Sequence, residues 1–144
     1  MNENTTLTQI EESLPNGFHD ALIERVFLDY VERKIVFTMR LWVGDCSSEN
    51  RDDRETYRNG VLTISQFLLC VVEPPDPRYP WAEPKALRVS SGAGNPQDQP
   101  FLQDLPAGTF SHWFFVNEWN SFIYVVAKGA RLMVSDEVEV DNGT

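Results

Sequence analysis

Apolar and polar positions alternate most regularly from Lys34 to Val43. Ile35, Phe37, Met39, Leu41 and Val43 fall on one side, and Lys34, Val36, Thr38, Arg40 and Trp42 on the other. A period of two puts successive side chains on opposite faces of an extended chain, so this run predicts a strand with one face in a core. Just upstream the pattern is mixed. Leu22, Ile23, Val26, Phe27 and Tyr30 have helical spacing, and Asp20 is placed to cap such a helix, whereas alternation over Phe18 to Tyr30 is imperfect. The polar connector Tyr30-Val31-Glu32-Arg33 has the length of a hairpin turn, and the clean strand after it favours a hairpin over a helix. Ahead of both, Thr6-Leu7-Thr8-Gln9 has the Thr-x-x-Gln form of a capping box. Leu7, Ile10 and Leu14 then share one helical face, and Pro15-Asn16-Gly17 ends it.

Further along, Val61 to Glu73 is apolar on both faces apart from Thr63, Ser65 and Gln66, which predicts a central strand with a bulge near Ser65-Gln66. Gly44 to Gly60 is polar, of mixed charge, and reads as a loop. Seven of the nine prolines lie between Glu73 and Pro100, so that stretch reads as an extended, turn-rich crossing. Inside it, Lys85 to Ser91 has the pattern of a short strand. Thr109 to Trp119, Phe122 to Ala127 and Ala130 to Val134 read as strands, with a corner at Asn117 to Asn120 and a turn at Lys128-Gly129. From Ser135 onward the chain is acidic and is expected to fray.

Six or so strands, one short N-terminal helix and one long proline crossing indicate a mainly β (or α+β) fold. An antiparallel two-layer sandwich or a curled half-barrel would bury so many aromatic faces. A single β-rich domain over residues 1–134 and a disordered acidic tail at 135–144 are expected.

Composition narrows the function classes. The net charge of −10 disfavours nucleic acid and anionic membranes as partners, because both are held mainly by lysine and arginine. The same charge aids solubility, and it steers a basic protein partner toward the surface. No apolar run opens the chain like a secretory signal, and none is long enough to span a membrane. With Cys46 and Cys70 too few for a disulfide framework, a cytoplasmic protein with two reduced thiols is expected.

Few residues offer chemistry. His19-Asp20 and His112 hold the two imidazoles, and a histidine oriented by a carboxylate is what acid–base catalysis uses. On an extended strand, however, Asp20 and His19 would point to opposite faces. His19, Cys46, Cys70 and His112 lack the close pairs that mark zinc sites, and no Gly-x-Ser-x-Gly element is present. No catalytic residue, metal or cofactor is therefore assigned. Trp42, Trp81, Trp113 and Trp119 are either core or the lining of a pocket or interface. The candidate binding residues are His19, Asp20, His112, Trp113, Glu118, Trp119 and Asn120.

Leu14-Pro15-Asn16-Gly17-Phe18-His19-Asp20-Ala21 resembles the opening of a family of uncharacterised bacterial proteins. Pro74 to Pro80 and Phe114 to Ile123 look like the same family. More distantly, a Phe-His-Asp-Ala opening before a hairpin is similar to immunity proteins of bacterial toxin systems. The resemblance implies a small β-rich cytoplasmic protein without an established enzymatic role, and brings no catalytic residues. Three readings follow. The first is a non-catalytic binding protein, immunity-like, that occludes a basic toxin. The second is a small-molecule pocket or modest acid–base enzyme using His19, Asp20 and His112. The third is an accessory domain in a homo-oligomer.

Overall fold

The structure, a computed structural model, describes residues 5–78 and 86–140. Its elements are α1 (Leu7–Glu12), β1 (Ala21–Asp29), β2 (Lys34–Trp42), α2 (Arg51–Arg54), β3 (Thr56–Val72), β4 (Leu87–Ala93), β5 (Phe110–Val116) and β6 (Ser121–Val140). All neighbouring strands are antiparallel, and they close in the order β1-β2-β3-β6-β5-β4. The mainly β expectation holds, but the architecture is a barrel rather than a sandwich. Closure comes from Ala21, Leu22 and Ile23 of β1, which pair with Val89, Arg88 and Leu87 of β4. Those three pairs join edges that a sandwich or half-barrel would leave apart.

Two three-stranded meanders, β1-β2-β3 and β4-β5-β6, make up the wall. The long β3–β6 ladder, from Thr56↔Val140 to Val72↔Ile123, binds them along one side. Alternation fills the interior. Ile35, Phe37, Met39 and Leu41 of β2 face Leu62 and Ile64 of β3, Phe114 and Val116 of β5, and Ile123 and Val125 of β6, all buried. β5 packs across the interior against β2, with Phe114 and Phe37 rings 5.2 Å apart. Phe18 adds a third ring at 5.8 Å from Phe114.

At the N-terminus the capping box forms as read: Thr6 Oγ1 accepts from Gln9 N, and Gln9 Oε1 accepts from Thr6 N. Leu7 and Ile10 are fully buried, so this two-turn helix is held by the barrel it covers rather than by its own propensity. The hairpin reading also holds, with Leu28↔Ile35 and Asp29↔Lys34 flanking its turn. A register shift between Ile23 and Arg25 explains why alternation in β1 is imperfect. In β3, Gln66 adopts φ 53° and the register shifts between Phe67 and Leu69, close to the expected bulge.

Three boundaries differ from the sequence reading. The segment 44–60 is not all loop: it contains α2, and β3 begins at Thr56, because Tyr57 is buried against the wall while its neighbours stay polar. Lys128-Gly129 is not a turn, since Gly129 pairs with Ser65 and Ala130 with Ile64 in one unbroken strand. The acidic segment from Ser135 does not fray through residue 140. It completes β6, with Val138 opposite Arg58 and Val140 opposite Thr56. Trp81 and Lys85, and residues 141–144 of the expected tail, lie outside the described residues. Among the described residues, no helix is long and apolar enough to cross a membrane.

Candidate functional site

His112 follows from alternation in β5: with Phe114 and Val116 it points into the barrel, where it is 1% exposed. An imidazole there needs a polar partner. It finds Glu11 on α1, with Nε2 3.0 Å from Oε1. The Ser91 hydroxyl on β4 donates to the same carboxylate oxygen. Burial alone would raise the Glu11 carboxyl. The hydrogen bonds from His112 and Ser91 outweigh it and hold the group below its ordinary value. Nδ1 has no hydrogen-bond partner, and it is least costly to bury as a bare lone pair, which puts the donor hydrogen on Nε2. The order of groups is not that of a nucleophile relay. The carboxylate stands between hydroxyl and imidazole, so no imidazole nitrogen is placed to take a proton from Ser91. The three residues fasten α1 across the barrel end.

Trp113, next along β5, points outward. Its ring covers Gly92, where a Cβ would come within 2.6 Å of it, and meets Phe122 edge-on at 5.8 Å. That outer face is covered by the chain itself: Leu102 and Leu105 pack with Trp113, Phe122, Tyr124 and Val126. Glu118, Trp119 and Asn120 form the expected corner between β5 and β6, with Asn120 at φ 48°. Each is committed to the fold. Both Glu118 oxygens accept from Arg88 N, at 3.1 and 3.0 Å. Trp119 packs on the main core, and its carbonyl accepts from Asp76 N at 2.8 Å. Asn120 donates to Asp76 Oδ2 at 3.1 Å. With Arg78 also on Asp76, that carboxyl is driven well below the usual range. The corner thus grips the proline crossing at both ends, near Asp76 and near Arg88.

His19 and Asp20 lie in a tight turn, Asp20 at φ 57°, and β1 begins only after them. They are therefore not on opposite faces of a strand, and His19 Nε2 approaches Asp20 Oδ2 to 3.5 Å. Asp20 also faces Arg88 at 3.8 Å, and the His19 ring lies 6.1 Å from Trp42. The side chain of His19 is 65% exposed, whereas His112 is sealed in the core, so the two imidazoles open onto no common pocket. Cys46 is exposed and Cys70 half-buried, both as free thiols, and among the described residues no cluster could hold a metal ion.

What the sequence reading missed is the other outer face. Across β1, β2, β3 and β6 the ladder sets Arg25 beside Thr38, Thr38 beside Val61, and Val61 beside Met133. An open hollow of about 760 Å³ lies over this face, lined by Glu24, Arg40, Asn59, Val61, Met133 and Glu139 among others. Met133 is 66% and Val61 42% exposed, although Val61 opens a segment read as a central strand. Arg40 is already engaged: Glu139 stands 3.5 Å from its Nε, and its guanidinium lies 5.2 Å over the Tyr57 ring. The rim at the β6 end carries Asp136, Glu137 and Glu139 with exposed Val138 and Val140. Thr56↔Val140 places α2, with Asp52 and Asp53, beside that rim.

Comparison of the chain with family models, curated proteins and solved structures finds no match.

Proposed function

We propose that the chain is a non-catalytic binding protein whose open β1-β2-β3-β6 face receives a basic protein partner, as an immunity protein would occlude a basic toxin. One observation carries this reading. Among the described residues, the chain covers one outer face of its barrel with its own apolar side chains and leaves the other bare, with Val61 and Met133 exposed around an open hollow. Uncovered apolar positions inside a polar rim are the anatomy of a protein interface. The acidic β6 end and the net charge of −10 favour a cationic partner and speed its approach. By contrast, the residues that carry chemistry are tied into the fold: His112 fastens α1, and Glu118 and Asn120 fasten the crossing.

The test is co-expression with each basic protein encoded beside its gene. Intact chain should protect cells from such a toxin, and its association rate should fall steeply as salt rises. Met133→Glu and Val61→Glu, both at exposed positions, should weaken the complex by roughly tenfold or more with the fold unchanged. Failure to protect, with no complex between the purified proteins, would refute the proposal.

A further inference from the structure

The β1–β2 hairpin ends in an apolar tip that the other described residues leave bare. Phe27 is 61%, Tyr30 69% and Val31 90% exposed. Turn positions normally go to Gly, Pro, Asn, Asp or Ser, so a valine at the most exposed point of a turn calls for a reason. The tip is also held rigid. Asp29 Oδ1 accepts from Val31 N at 3.0 Å and from Glu32 N at 2.9 Å. Phe67 N donates to the Arg33 carbonyl at 3.2 Å, the Arg33 guanidinium lies 4.9 Å over the Phe67 ring, and Tyr30 meets that ring edge-on at 6.1 Å. Order of this kind lowers the entropy lost when the tip is covered.

Beside the tip is a hollow of about 400 Å³ lined by Glu32, Arg33, Gln66, Phe67, Leu68 and Lys128. Glu32 and Lys128 are exposed, and neither forms an ion pair among the described residues. A knob, a hollow, an unpaired acid and an unpaired base therefore sit side by side, the set that a two-fold axis satisfies reciprocally. Charge points to the same occupant. Two copies at −10 each repel over most of their surface. At this end Asp29 and Glu32 are opposed by Arg33, Lys34 and Lys128, so copies can approach here without that repulsion.

We propose that the hairpin end is an interface between two copies of the chain. Tyr30 and Val31 of one copy seat in the hollow of the other, beside Arg33, Gln66 and Leu68, and Glu32 of each meets Lys128 of the other. A contact confined to a hairpin tip and one hollow makes a weak dimer, with a dissociation constant on the order of tens of micromolar. Sedimentation from about 10 µM to about 1 mM tests it, and the mass should rise from monomer to dimer across that range. Val31→Asp, at a position too exposed to affect folding, should stay monomeric throughout with an unchanged circular dichroism spectrum. Glu32→Lys and Lys128→Glu should each weaken association about fivefold or more, and the double variant should restore it. A wild-type chain still monomeric at the top concentration would overturn the proposal. So would a dimer indifferent to Val31→Asp, or a double variant no better than its singles.

Discussion

Replacing Glu11 with alanine should destabilise the protein far more than replacing His112 with leucine, although both changes break the same hydrogen bond. Removing the carboxylate strands an imidazole donor that is 1% exposed, and a buried donor left without an acceptor costs about 1–3 kcal/mol. Ser91 is only half-buried and can turn toward water, so the imidazole supplies most of the loss. A cost of about 2 kcal/mol corresponds to a fall of roughly 5 °C in Tm for a chain of this size. His112→Leu instead leaves a carboxylate whose side chain is 21% exposed and within reach of water, and it adds an apolar group beside Phe114. Its cost should be about 1 kcal/mol or less. In the leucine background Glu11→Ala should then be nearly free, giving a coupling of about 1.5 kcal/mol in a double-mutant cycle. Urea unfolding followed by tryptophan fluorescence measures all four stabilities. A coupling below about 0.5 kcal/mol, or a leucine variant weaker than the alanine variant, would refute the reasoning. The pH dependence follows the same group. Its carboxyl is lowered in the folded state, so its contribution is present above the ordinary value of 4.5 and disappears as pH falls through the lowered one. Glu11→Gln should flatten that part of the acid limb.

Glu118→Ala leaves the Arg88 amide without its acceptor and should cost about 1–2 kcal/mol in the same unfolding assay, whereas Glu118→Gln should keep most of the stability. Burial pushes the Cys70 thiol up to about 11, so at pH 8 a thiol-exchange reagent should modify Cys46 promptly and Cys70 only slowly. Equal rates at the two thiols would contradict the placement of Cys70.

What could be read in advance was local. The capping box at Thr6 and Gln9, the alternation of β2 and the hairpin around Tyr30 to Arg33 each depend on residues a few positions apart. What could not be read was long-range or disguised. Barrel closure rests on three β1–β4 pairs, and nothing in Ala21 to Ile23 marks them as meeting residues near 88. Gly129 looks like a turn residue but sits in the ladder, and the acids after Ser135 look solvated because that end of β6 is. The candidate site was legible by type and not by role. Alternation could place His112 inside, but its partner Glu11 is 101 residues away. Val61 and Met133 went unnoticed because an exposed apolar residue on a strand has the same pattern as a buried one.

The two-meander construction also sets an order for folding. Within each meander consecutive strands pair, through tight turns at 30–33 and 117–120 and longer links at 43–55 and 94–109, so their contacts close smaller loops than the pairing of β3 with the far end of β6. The β3–β6 ladder joins Thr56 to Val140, and it must wait for nearly the whole chain. A chain emerging from the ribosome therefore presents β3, with Ile64, Phe67, Leu69 and Val71, as an unpaired apolar edge until β6 is made. Slow closure and a need for protection during synthesis are thus consequences of the same long pairing that makes the finished wall continuous.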